Sequence, residues 1–520
     1  MPRRTGTHEQ TINTALGEVL QQFGREWTIR SENIGRILEE GGRPDILVEK
    51  SDGWPITIEA EVGNHREAED DARARLGNRL ISTGNPIHAS LALVYPDNLR
   101  RHHGAALRAA LQRTQLEYVL FTIQADGQTA RFPLAGWLKG GIAELALLVH
   151  RSSIPAWRVV ALADALELGV TRAATRLSSS HPVGSGLGTS LAELLDQHDD
   201  AGGQTRRMAM TVLVDALVFH VAVAESELQV NDPITGPRRV TPPTAFREHG
   251  SFRPSGLVDE WQKILGVNYW PIFHTASRIV ECLPTQTAAA ILNILWETAE
   301  TLIVGGVTRS HDLTGVVFQR LIADRKFLAT YYTMPSGAAL LAGLAIPLEH
   351  PVVGDEWGDA DALGAARIGD FACGTGTLLS TAYQRIGLLH EIHGGDPKAL
   401  HPTMMQRGLV GLDVLTVAVH LTAAMLAGSH PDTPFEGECL LTMPYGSHTW
   451  GVSVGSRGRP EWKNAPDRPE RRQLGVQSRP RWVQNGNSGC LSRQRSTQSA
   501  ISWGKRKSRL VRTRPFRIFL

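Results

Sequence analysis

The chain has 520 residues, with 54 Lys+Arg, 52 Asp+Glu and four cysteines (Cys282, Cys373, Cys439 and Cys490). That length suits about three to four domains, and so few, scattered cysteines exclude a disulfide framework or a cysteine zinc site. No unbroken apolar run reaches the length of a membrane span and no hydrophobic stretch follows Met1-Pro2-Arg3-Arg4, so the chain reads as cytoplasmic, with no membrane partner.

In chain order, a helical run over 9–23 leads into a strand at 43–48, opened by Pro44-Asp45. A polar turn around Ser51-Asp52-Gly53 separates it from a second strand, Ile56-Thr57-Ile58-Glu59-Ala60-Glu61-Val62. Two antiparallel strands joined this way bring Asp45 and Glu59 together. Paired carboxylates on adjacent strands are the hard oxygen ligands that Mg²⁺ takes. A helix over 66–80 and a strand over 89–94 follow. The order Pro44-Asp45, Glu59-Ala60-Glu61 resembles the PD-(D/E)xK nuclease core. The resemblance implies an α/β restriction-endonuclease-like domain over 1–150, with Asp45, Glu59 and Glu61 as catalytic residues and Asp45 and Glu59 as metal ligands. Glu61 stands where that family has its lysine, and Lys50 lies on the turn instead. His65 is expected to be a surface or orienting side chain.

Residues 151–310 read as a helical connector. Apolar residues recur at helical spacing over 207–225 (Met208, Met210, Leu213, Leu217, Val221) and over 288–304 (Ile291, Ile294, Leu295, Ala299, Leu302). The Ser-, Gly- and His-rich stretch 176–206 reads as a linker, and Thr241-Pro242-Pro243-Thr244 as a loop. Trp261, Tyr269 and Trp270 are expected in the core.

The most informative stretch is 366–379, Ala-Arg-Ile-Gly-Asp-Phe-Ala-Cys-Gly-Thr-Gly-Thr-Leu-Leu. A buried strand ends at Asp370, Gly374 and Gly376 make a tight turn, and a helix opens at Leu378-Leu379. A second apolar strand, 408–414, ends in Asp413. Strand, glycine turn, helix, strand and acid is the layout that holds an adenosine-bearing cofactor at the carboxyl edge of a parallel sheet. A pyrophosphate site prefers a third glycine, but Leu379 stands there, and Asp370 at the loop would repel an anion. A cationic amino-acid group would be welcomed. S-adenosylmethionine carries one.

Residues 370–379 resemble motif I of the adenine-N6 DNA methyltransferases, and Asp413 with its following helix resembles motif II. The segment 315–339 resembles the one that precedes motif I in type I modification subunits, including the Tyr-Thr-x-Pro element Tyr332-Thr333-Met334-Pro335. The resemblance implies a Rossmann-like α/β methyltransferase domain over 311–456. It also implies S-adenosylmethionine contacts from Tyr332, Thr333, Pro335, Asp370, Ala372, Gly374, Gly376 and Asp413, with DNA as substrate and a specificity or restriction subunit as a further partner. Cys373 is read as a packing residue.

The family's Asn-Pro-Pro-aromatic tetrapeptide, which holds the flipped adenine, has no counterpart after Asp413. Residues 457–520 carry 17 Lys+Arg against 3 Asp+Glu, a net of +14, leaving 37 basic and 49 acidic residues (−12) in 1–456. The tail reads either as a basic nucleic-acid-binding arm or, the favoured expectation, as a disordered or frameshifted end foreign to the fold. In the second case the methyltransferase sheet is incomplete, with an unpaired edge. The expected function is DNA restriction–modification: methylation of adenine N6, with Mg²⁺-dependent cleavage by the N-terminal domain. The alternative is an inactive homologue that binds DNA or cofactor only.

Overall fold

The computed structural model describes residues 6–442 and 518–519, less 25–26, 33–36, 41, 51–53, 153, 182–184, 196–202, 307–332 and 438. The chain divides into Met1–Gly455 with Pro515–Leu520, and Ser456–Arg514; every described residue belongs to the first unit. That unit is mixed α/β and multidomain, with two separate larger sheets and, between them in the chain, a run of long helices.

The N-terminal part begins with α1 (Gly6–Leu20), then β1 (Trp27–Ser31), β2 (Ile46–Lys50), β3 (Ile56–Val62), α2 (His65–Arg75), β4 (Ala89–Tyr95), α3 (Gly104–Arg113), β5 (Leu116–Ile123), β6 (Thr129–Phe132), β7 (Leu138–Gly140) and α4 (Ile142–Arg151). The sheet runs β1-β2-β3-β4-β5-β6, with β7 also on β5. Only β3–β4 is parallel, because α2 carries the chain back across the sheet; the other pairs are antiparallel. Side chains alternate between faces. Ile46, Val48, Ile56, Ile58, Leu91 and Leu93 pack on Leu16 and Val19 of α1, whereas Ala92, Val94 and Phe121 meet Ala68 and Ala72 of α2. The expected helix over 66–80 stops at Arg75, since Leu76 turns extended.

Long helices follow: α5 (Ala156–Ser180), α6 (Gly186–Leu194), α7 (Gln204–Glu225), α8 (Pro254–Leu265), α9 (Trp270–Cys282) and α10 (Thr285–Val304). Between α7 and α8 lie two small ribbons, β8 (Gln229–Asp232) with β9 (Gly236–Arg239), and β10 (Arg247–Glu248) with β11 (Ser251–Phe252). The described residues of the stretch expected to be a linker, which exclude 182–184 and 196–202, are largely helical instead: α5 runs through Ser180, and α6 buries Leu191 and Ala192 against α7 and α9. A leucine stripe (Leu187, Leu191, Leu194) outweighs its Ser and Gly content. The expected loop at 241–244 is likewise corrected in part, because Pro243–Phe246 forms a 3-10 turn with Pro243 and Phe246 buried. Trp261 and Tyr269 are core residues, as expected. By length and composition α7 and α10 are long and apolar enough to cross a membrane; α7 is mostly buried within the protein.

Burial keeps two histidines neutral at pH 7, His220 on α7 and His88 just before β4. His220 donates from Nε2 to the Thr241 carbonyl at 2.9 Å and accepts the Trp261 indole N–H on Nδ1 at 3.1 Å. Burial pushes His220 down to about 4, and His88, against the Ser152 carbonyl, also to about 4. A histidine of ordinary pKa when unfolded (about 6.5) and depressed when folded contributes its full stability above pH 6.5. That contribution, about 3 kcal/mol per histidine, is lost as pH falls through 4. Urea unfolding at pH 7 and pH 4.5 is expected to show the native protein losing more stability than His220→Asn. A parallel fall in both would remove this assignment.

The C-terminal part comprises α11 (Pro335–Ala345), α12 (Ala360–Ala366), β12 (Ile368–Asp370), α13 (Thr377–Ile392), α14 (Pro397–Thr403), β13 (Leu409–Asp413), α15 (Thr416–Ala427), β14 (Leu440–Thr442) and β15 (Ile518–Phe519). The sheet is parallel throughout, in the order β14-β13-β12-β15. The pairing of β15 corrects one expectation. The last described residues of the basic tail are not outside the fold but add a strand beside β12, in the register Ile368↔Ile518 and Gly369↔Phe519.

The three parts share buried polar joints. Arg385 of α13, 1% exposed, donates to Glu144 of α4 at 2.5 Å and to the Ile346 carbonyl at 2.7 Å. Arg151, also on α4, donates to Ser380 Oγ at 2.9 Å. His420 of α15 meets Asp215 of α7 at 3.0 Å, both 1% exposed.

Candidate functional site

At the carboxyl edge of the parallel sheet, the turn after β12 is fixed by its backbone amides, which bond to Asp370, to the end of β13 and within the turn itself. The Ala372 N–H donates to Asp370 Oδ1 at 3.1 Å, and the Cys373 N–H to the Leu412 carbonyl at 3.0 Å. Gly374 N–H donates to Asp413 Oδ2 at 2.9 Å, and Gly376 N–H to the Cys373 carbonyl at 2.7 Å. The second oxygen of Asp413 accepts from Leu415 N–H at 2.9 Å, and Thr422 Oγ1 donates to the Gly374 carbonyl at 2.9 Å.

The two glycines are required for different reasons. Both have positive φ, +54° at Gly374 and +81° at Gly376. A Cβ on Gly376 would lie 2.6 Å from Met425 Cε and 2.8 Å from Thr422 Cγ2, so this glycine lets the loop close on α15. Among the described residues, a Cβ on Gly374 would meet nothing within 4 Å, so the space in front of Gly374 is open there.

An anion-cradling loop offers free N–H groups to phosphate. Here four loop amides, those of Ala372, Cys373, Gly374 and Gly376, are consumed internally. Asp370 is buried, and burial, with Asp413 nearby, raises its carboxyl above the usual range despite the Ala372 hydrogen bond. Burial also pushes the Cys373 thiol well up, in keeping with a packing role. Thr375 Oγ1 is buried with no hydrogen-bond partner. An adenosine-bearing group with a neutral or cationic tail fits these donors and acceptors; a pyrophosphate does not.

The sequence-predicted residues are placed as follows. Asp370, Ala372, Gly374, Gly376 and Asp413 come together in this one turn. Asp413, expected to hold a ribose, is first the organiser of the loop, and each oxygen keeps a second lone pair for a hydroxyl. Pro335 occupies the first turn of α11, where its missing N–H costs nothing. That helix packs along α13, and Thr333 lies just before it. Tyr332 lies outside the described residues. Thr422 lies on the helix that resembles motif II, but its own contact with the loop was not anticipated.

The second site is on the N-terminal sheet. β2 and β3 pair in the register Ile46↔Ile58, which sets Asp45 beside Glu59 as expected. Asp45 Oδ2 accepts the Ala60 N–H at 2.7 Å. Burial pushes Asp45 up to about 7 against that hydrogen bond, and burial with the charges of Glu9, Glu67, Asp45 and Asp71 pushes Glu61 up to about 7. Glu9, on α1, is a further member that the sequence did not single out. His65 pairs with Glu117 at 2.6 Å and packs edge-on against Trp137.

Glu59 is engaged differently. Arg75, from the last turn of α2, donates Nε to Oε1 at 2.9 Å and Nη2 to Oε2 at 3.0 Å, while Nη2 also reaches the Arg43 carbonyl at 2.7 Å. Burial pushes Glu59 up to about 8 against the Arg75 hydrogen bonds, while against its own burial those bonds hold Arg75 more firmly charged. Among the described residues no group of three or more His, Cys, Asp or Glu is placed to hold a metal ion. With both Glu59 oxygens on a guanidinium, the expected Asp45–Glu59 pair does not fit Mg²⁺ as it stands. A cavity of about 610 Å³ lies elsewhere, between β5, β7 and α11, touching neither site.

Fold and sites together define a mixed α/β protein with a carboxylate cluster on one sheet and a closed glycine turn at the edge of another. No family model and no curated protein matches the chain. Among solved structures it is similar to DrdV, from a cryo-EM structure of a DrdV–DNA complex, at 12% identity over 84% of this chain and 38% of that one, with a TM-score of 0.33. It is also similar to the type IIG restriction endonuclease BpuSI, at 12% identity over 84% of this chain and 42% of that one, with a TM-score of 0.29. The chain thus spans well under two thirds of the length of either.

Proposed function

We propose that this chain is a DNA-acting protein of the restriction–modification kind whose Asp370–Gly376 turn binds S-adenosylmethionine for methylation of adenine N6. The observation that carries this reading is the state of the loop: its amides are spent internally, its acids remain, and among the described residues the space before Gly374 is open. When bound, S-adenosylmethionine supplies a sulfonium-activated methyl group. The chain's own part is to hold the cofactor. Asp413 would accept from the ribose hydroxyls, Asp370 would sit beside the cationic end, and Gly374 would leave room for the backbone to approach. Thr333 and Pro335 belong to the neighbouring wall. DNA is the substrate this reading implies, with base readout supplied by a specificity or restriction subunit.

The missing Asn-Pro-Pro-aromatic element in this sequence favours a second reading, cofactor binding without methyl transfer. Calorimetry on the full chain is expected to show binding of S-adenosylmethionine and none of NAD or ATP. Binding of either nucleotide with no binding of S-adenosylmethionine would overturn the proposal. Transfer of a tritiated methyl group to adenine in DNA then separates the two readings: incorporation supports the enzyme, and a blank-level result supports the binder.

A further inference from the structure

The carboxylate cluster on the N-terminal sheet already contains a cation. The Arg75 guanidinium lies across the Glu59 carboxylate with one N–H on each oxygen. It also feels the charges of Asp45 and Asp71, and it is anchored to the Arg43 carbonyl two residues before Asp45. Glu59 is 3% exposed and Arg75 15%. This is the bidentate fork geometry in which Arg meets a carboxylate best.

We infer that Arg75 is the resident counter-ion of this cluster and that, while seated, it excludes a divalent cation from Asp45 and Glu59. Two facts lead there. Mg²⁺ demands carboxylate oxygens at close range in octahedral order, with waters completing the shell; both oxygens of Glu59 are directed at Arg75 instead. A divalent ion shared between Asp45 and Glu59 would also sit within a few ångströms of a guanidinium that cannot be deprotonated. Metal and Arg75 are therefore alternatives.

Arg75 is the member of the pair able to leave. It stands in the last turn of α2, its side chain is long, and it is partly exposed, whereas Glu59 is fixed in the middle of β3. The cluster is thus a cation site with its own occupant, silent toward metal until Arg75 is drawn away. The inference concerns the N-terminal sheet alone and stands or falls independently of the cofactor reading at Gly374.

The test is Mn²⁺ binding to the full chain, read from the loss of the free-ion EPR signal and from the Mn²⁺-dependence of the melting temperature. The native protein is expected to take up no Mn²⁺ at this cluster, so that Asp45→Asn changes nothing. Arg75→Ala is expected to bind Mn²⁺ roughly tenfold more tightly or better, because the like charge is gone, and to gain melting temperature with the ion. Arg75→Ala combined with Asp45→Asn is expected to lose that gain. Arg75→Lys keeps the charge but not the fork, and is expected to fold and bind Mn²⁺ between the two. Mn²⁺ uptake by the native protein that Asp45→Asn abolishes would overturn the inference. So would folded Arg75→Ala or Arg75→Lys protein with no gain over native.

Discussion

Gly376→Ala is expected to cost about 3 kcal/mol of stability with no ligand present, the sum of a left-handed alanine and an overpacked contact. The clash falls on Thr422 and Met425 of α15, so the damage is to the packing of loop on helix. Gly374→Ala is expected to behave oppositely. Its φ of +54° makes alanine cost about 1–2 kcal/mol, but among the described residues the new methyl meets nothing within 4 Å. It enters the space assigned to the cofactor, so S-adenosylmethionine binding is expected to fall far more than stability. Urea unfolding and calorimetry on both variants check the pair. If Gly374→Ala bound the cofactor as the native chain does, the ligand would not lie against Gly374.

Asp215→Ala is expected to destabilise the protein by about 3–5 kcal/mol, because it leaves a buried partner uncompensated. His420 Nδ1 lies 3.1 Å from the Pro271 carbonyl, which can only accept, so Nδ1 carries its proton. Nε2 faces Asp215 Oδ2 at 3.0 Å, a close contact between two buried groups rather than an aligned hydrogen bond. Burial pushes the Asp215 carboxyl up while His420 pulls it down. Replacing both residues by leucine is expected to be near neutral, since removing a buried pair also removes its desolvation cost. Denaturant midpoints of the two proteins decide it. A cost below about 1 kcal/mol for Asp215→Ala would mean that this contact does not bind α7 to α15.

What was legible in the sequence was what short range dictates. Alternating Ile56, Ile58 and Val62 gave β3, apolar runs ending in Asp370 and Asp413 gave two parallel strands, and Gly374 and Gly376 marked the turn between them. The Asp45–Glu59 juxtaposition followed from a short connection between antiparallel strands. Long-range partners were not legible. Arg75 reaches Glu59 across 16 positions, Thr422 reaches Gly374 across 48, and Arg385 reaches Glu144 across 241. No local pattern distinguishes such a residue from a solvated one. The misreading of 176–206 has a local cause, because Ser and Gly dominate its composition while three leucines at helical spacing decide its structure. The second strand-edge partner of β12 was missed because Ile518-Phe519 is too short to show periodicity.

The joints between α4 and α13 bear on how freely this protein's parts can be recombined. Glu144 and Arg151 lie on the last helix of the N-terminal part, and their partners Arg385 and Ser380 lie on the helix that the glycine turn opens. Arg385 already has one nitrogen, Nη1, buried without a partner, so losing Glu144 would leave a cation in the interior with only the Ile346 carbonyl. A chimaera that took its N-terminal sheet from another chain would inherit that debt unless a carboxylate arrived at the position of Glu144. The seam therefore works as a password: two short polar contacts decide which N-terminal part this glycine turn will accept.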